Sequence, residues 1–83
     1  MYFHRNVGTC SSGVEFEVEN GVVTACRFIG GCRGNTQGVA ALCIGRKPEE
    51  LIPVLKGIQC RGGTSCPDQL AQALEGWMQE QNA

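Results

Sequence analysis

Hydrophobic and polar positions alternate most regularly between Val14 and Glu19, where Val14, Phe16 and Val18 interleave with Glu15, Glu17 and Glu19. A period of two with one charged face predicts a strand that lays one side on a core and the other in water. Asn20-Gly21 follows, a dipeptide that accepts the positive φ angles of a tight hairpin turn. Val22 to about Ile29 then returns as a second strand. It is apolar on both faces, so the pattern predicts it to be the more buried of the two. Tyr2, Phe3 and Val7 fit a short strand ahead of Gly8. His4, with no partner at ligand spacing, reads as a surface or sheet residue.

Beyond residue 30 the apolar spacing becomes helical. Val39, Leu42 and Cys43 share one side of a helix capped at Asn35 or Thr36 and stopped by Gly45. A second helix opens at Pro48 with Glu49 and Glu50 in its first turn, and buries Leu51, Ile52 and Leu55. Pro53 conflicts with an unbroken element, which implies a kink or a later start. Leu70, Leu74, Trp77 and Met78 place a third, amphipathic helix over Pro67 to about Gln79. At its start Ser65 and Asp68 fit a capping box, with the hydroxyl on a first-turn amide and the carboxylate reaching back to the cap amide. The expected architecture is one α+β domain over residues 1–83, a β-hairpin plus a short N-terminal strand covered on one face by three helices.

Length sharpens this picture. A chain of 83 residues buries only about 60% or a little more of its unfolded surface, so its core is thin. Metal, disulfides or self-association commonly supplement such a core, which leaves room for a homodimer. A net charge of -1 and a pI near 5.7 provide no basic footprint for nucleic acid or an anionic membrane surface. The N-terminus lacks a signal-peptide pattern and no segment reaches the roughly 20 apolar residues of a membrane span, so a cytoplasmic protein is expected.

In that reducing compartment the six cysteines are expected to be ligands, redox groups or small core residues rather than structural disulfides. Their surroundings divide them. Cys26 lies within the second strand and Cys43 on a helix face, where they read as packing residues. Cys10, Cys32, Cys60 and Cys66 occupy turns, Gly-rich loops or a helix start. Cys66 meets free amides and the positive dipole end of its helix, which favour a thiolate, and Arg61 acts in the same sense. Four thiolates suit a closed zinc site or an iron-sulfur cluster. The hairpin brings Cys10 and Cys32 to one end, and Arg33 and Arg61 could offset the excess negative charge. A redox dithiol and plain structural thiols remain alternatives on these grounds.

The run Thr64-Ser65-Cys66-Pro67-Asp68 resembles the signature of the TSCPD domain family. The likeness extends through Val7-Gly8-Thr9-Cys10-Ser11, Phe28-Ile29-Gly30-Gly31-Cys32 with Gly34-Asn35, and Leu55-Lys56-Gly57-Ile58-Gln59-Cys60. Such domains occur alone and at the C-terminus of adenosylcobalamin-dependent ribonucleotide reductases. The resemblance therefore implies a partner that is a larger redox enzyme such as ribonucleotide reductase. Ribonucleotide reduction itself needs a large radical-generating barrel that 83 residues cannot form. More distantly, the order of elements resembles NifU-like iron-sulfur scaffold proteins, a NifU/SufE-like arrangement in which Cys10, Cys32 and Cys66 match scaffold cysteines. Ser11 and Ser12 replace the Asp that follows the first cysteine there. The expected function is a metal or iron-sulfur module with ligands Cys10, Cys32, Cys60 and Cys66, supported by Arg33, Arg61, Ser65 and Asp68. The alternative is a thiol-disulfide donor to a reductase through Cys60 and Cys66.

Overall fold

The computed structural model describes residues 1–31, 33–59 and 63–81. Cys32, Cys60 and Arg61 lie outside the described residues, and Arg33 is described by its backbone alone. Three strands, β1 (Tyr2–Arg5), β2 (Ser11–Glu19) and β3 (Val22–Gly30), precede three helices, α1 (Arg33–Cys43), α2 (Pro48–Leu55) and α3 (Cys66–Gln81). The sheet is antiparallel in the order β1-β2-β3. The expected α+β architecture, hairpin plus N-terminal strand under three helices, is the one observed. No helix among the described residues is long and apolar enough to cross a membrane.

The Asn20-Gly21 turn adopts positive φ at both residues, 53° and 82°, which matches the twist of the strands it joins. Val14 and Phe16 are completely buried, while Glu17 and Glu19 on the other face are exposed. β3 departs from expectation. Val23 is its one fully buried residue and the rest are half-buried or exposed. The reason is position, since β2 has a neighbour on each side and β3 ends the sheet. Apolar character on both faces of β3 therefore did not translate into burial.

Leu70 and Leu74 of α3 close over Val14, Phe16 and Val23, with Cys43 of α1 and Leu51 of α2 completing the core. Tyr2 stands opposite Phe16 in the sheet, ring centroids 5.2 Å apart. The stripe that α1 turns inward is Thr36, Ala40 and Cys43, with Val39 half-buried beside it. Leu42, expected inside, is 72% exposed. Small residues spaced at four and three positions let α1 lie close to β3, and the large apolar side chain falls off that face. α2 begins at Pro48 despite Pro53 within it. The carbonyl that Pro53 cannot satisfy belongs to the exposed Glu49, where water can take it. Lys56 at the end of α2 reaches Glu75 of α3 at 2.7 Å.

Candidate functional site

The site is built where the start of β2 meets the start of α3. Register explains why β2 presents a side chain there. Ser11 pairs with Gly30 and Gly13 with Ile29, so Ser12 is an extra residue on its strand. Such a bulge reverses the in-out alternation beyond it. Ser11 thereby joins Val14 and Phe16 on the covered face and is 1% exposed, whereas Ser12 faces solvent.

Ser11 Oγ lies 2.9 Å from Cys66 Sγ and accepts a hydrogen bond from Asn6 Nδ2 at 2.7 Å. With the amide donating to its oxygen, the Ser11 proton is available to the Cys66 sulfur. Thr9 fixes the same corner by donating its hydroxyl to the Ser11 carbonyl at 2.8 Å. Cys10 is exposed at the surface, with its Sγ 4.0 Å from that of Cys66. Both are reduced thiols. Asn6 Oδ1 is buried without a hydrogen-bond partner among the described residues.

Gly31, the residue before Cys32, completes the near side of this corner. Its φ is +84°, and a Cβ there would sit 3.0 Å from the Ser11 amide nitrogen and 3.2 Å from Cys10 Sγ. Only glycine accepts that conformation and that approach at little cost.

The helix start supplies the far side. Ser65 is the N-cap: its Oγ accepts the Asp68 amide at 3.1 Å and its carbonyl accepts Gln69 N–H at 2.8 Å, as half of a capping box should. The other half is different. Asp68 does not reach back to the cap amide; Oδ1 accepts the Gly57 amide at 2.8 Å, while Oδ2 accepts from Gln72 at 3.1 Å and from the Thr64 hydroxyl. These donors, the Gly57 amide foremost, hold the Asp68 carboxyl below the usual carboxylate range because each stabilises its charged form. Ser65 Oγ also donates to the Ile58 carbonyl at 2.6 Å. Ser65 and Asp68 thus clamp residues 57–58 to the start of α3.

Gln69, one turn into α3, ties the helix to β1 by accepting from Val7 N–H at 3.2 Å and meeting His4 Nε2 at 3.1 Å. His4 is thereby occupied structurally. Of the four cysteines expected at the site, Cys10 and Cys66 come together, and Cys32 and Cys60 lie outside the described residues. Among the described residues no three His, Cys, Asp or Glu side chains form a metal-ligand group. Cys26 and Cys43 lie apart from this corner, against the core. Sequence reasoning missed Asn6, Ser11 and Gln69. Ser11 had a signal only in its adjacency to Cys10, and that did not separate it from Ser12.

The family model of the TSCPD domain matches residues 2–78. No curated protein and no solved structure matches the chain.

Proposed function

The chain belongs to the TSCPD domain family, and from that premise and the sulfur geometry we propose that it is a cytoplasmic metal-binding module whose ligands are Cys10, Cys32, Cys60 and Cys66. The observation that carries this reading is the 4.0 Å between Cys10 Sγ and Cys66 Sγ. Two thiolates on a tetrahedral zinc, each about 2.3 Å from the metal, stand about 3.8 Å apart. A disulfide would need about 2.05 Å. A Cβ on Gly31, the residue before Cys32 in sequence, would sit 3.2 Å from Cys10 Sγ, and Ser65 and Asp68 hold residues 57–58, just ahead of Cys60 in sequence, to the start of α3; both support adding Cys32 and Cys60 to the ligand set. The group held is zinc or an iron-sulfur cluster. Four thiolates leave no open coordination position on a zinc, which suits a structural or docking role better than hydrolysis. Ser11 donates to a ligand sulfur, and Arg33 and Arg61 stand next in sequence to two ligands. The module serves a larger redox enzyme of the ribonucleotide reductase kind, as an accessory rather than as the reductase.

Metal analysis of anaerobically purified protein tests the reading. About one zinc per chain, or iron and sulfide with visible absorption, is expected, and Cys66→Ser should remove it and lower the melting temperature. Stoichiometric metal in the Cys66→Ser protein would sink the proposal. Chelation should expose four cysteines to alkylation together. If Cys60 and Cys66 alone react, and cycle between dithiol and disulfide without metal, a thiol-disulfide donor replaces the metal module.

A further inference from the structure

We propose that the groove between α1 and α2 is a self-association surface, covered by the same groove of a second copy of this chain. Among the described residues its walls include Val39 and Leu42 of α1 and Val54 and Leu55 of α2, with Arg46 and Glu50 beside them. Leu42 is 72% exposed and Val54 69%, so each wall carries a large apolar side chain standing in water. Burying such groups against others of their kind is favourable. The groove has a volume of about 190 Å³, below the roughly 300–1,000 Å³ of small-molecule sites. Side chains from a protein surface suit it better.

Charge identifies the occupant. Arg46 comes just after the end of α1 and Glu50 lies in the first turn of α2, so both stand at the junction end of the groove. The ion pairs among the described residues join Arg27 to Glu15 and Lys56 to Glu75. Arg46 and Glu50 are exposed and belong to neither. A patch with one charge of each sign offers no net charge to an acidic or a basic partner, but it is complementary to its own image. In a two-fold dimer the same patch meets itself. An axis running along the groove lays α1 of one copy over α2 of the other, which sets Arg46 against the partner's Glu50 and Glu50 against the partner's Arg46. Leu42 then covers the partner's Val54. The apolar contacts hold the copies together and the two charge pairs fix their register.

Sedimentation equilibrium of the whole chain tests this, over a concentration series and with reductant present to prevent disulfide-linked dimers. The mass of the wild-type protein should climb from 8.9 kDa towards twice that value as concentration rises. Leu42→Glu, Arg46→Glu and Glu50→Arg should each stay at the monomer mass while keeping the wild-type circular dichroism spectrum. Arg46→Glu sets carboxylates against carboxylates across the axis, and Glu50→Arg sets guanidinium groups against guanidinium groups. Mixing these two variants restores an opposite charge at both contacts, so the mixture should dimerise although neither component does. That rescue also shows that both variants fold. A wild-type protein that remains monomeric throughout the series would overturn the proposal and leave the groove to a different protein. A dimer that survives Leu42→Glu, or a mixture of the two charge variants that stays monomeric, would overturn the assignment of this surface.

Discussion

Ser11 shows how much one side chain decides at this corner. It accepts from Asn6 and faces the Cys66 sulfur, so Ser11→Ala strips a hydrogen bond from the sulfur and leaves a buried amide without its acceptor. The expected cost is about 1–3 kcal/mol in denaturant unfolding, with a roughly 10–100-fold loss of metal affinity in chelator competition. The exposed Ser12→Ala should stay within about 0.5 kcal/mol of wild type. Which of the two serines turns inward was not legible, because the choice depends on a bulge and a bulge belongs to the pairing of two strands. Tyr2 makes a separate claim on pH. Burial, followed by its hydrogen bond to Glu80 and that carboxylate's charge, raises its hydroxyl above the ordinary value of 10.0. A group raised by folding contributes its full stability below the unfolded value and loses it as pH climbs through the folded one. Between about pH 9 and about pH 11 the melting temperature of wild type should fall more steeply than that of Tyr2→Phe. Equal slopes would show that Tyr2 is no more protected than in the unfolded chain.

At the level of elements, the loop that ends β3 is set by Gly31. Its left-handed backbone costs any other residue roughly 1–2 kcal/mol, and the crowding of an added Cβ against Ser11 and Cys10 adds to that. Gly45, with φ +83° and open space around it, bears the first cost alone. Gly31→Ala should therefore destabilise by about 1 kcal/mol or more beyond Gly45→Ala, and it alone should reduce metal content. Equal metal retention in the two variants would detach this loop from the site. The hairpin and α3 were readable in advance because their signals are local: alternation and Asn20-Gly21 for one, the spacing of Leu70 and Leu74 for the other. Two features were not. The face of α1 is chosen by how closely β3 allows it to approach, which favoured Ala40 over Leu42. The partner of Asp68 is Gly57, eleven positions back, where a local capping rule looks only to the cap amide.

Over the whole molecule, the radius of gyration of 11.5 Å is close to the roughly 12 Å of ordinary packing at this length. The core is small because the chain is short, and a ligated metal would supply folding free energy that burial does not. Removing metal with a chelator should lower the melting temperature of the wild-type protein and leave that of Cys66→Ser unchanged; an equal drop in both would assign the effect to the chelator. Context set Cys10, Cys32, Cys60 and Cys66 apart from Cys26 and Cys43 in the sequence, but the convergence of Cys10 and Cys66 required the fold. Those sulfurs are 56 positions apart, which gives the site a place in time as well as in space. A ribosome delivers the N-terminus first, so the hairpin can pair through near-neighbour contacts while Cys66 has yet to be made. Until α3 emerges, Ser11 has no helix above it and Cys10 has no Cys66 to face. The corner between Cys10 and Cys66 is thus the last part of the molecule to be assembled, and a newly made chain passes through an interval in which Cys10 meets solvent before it meets Cys66.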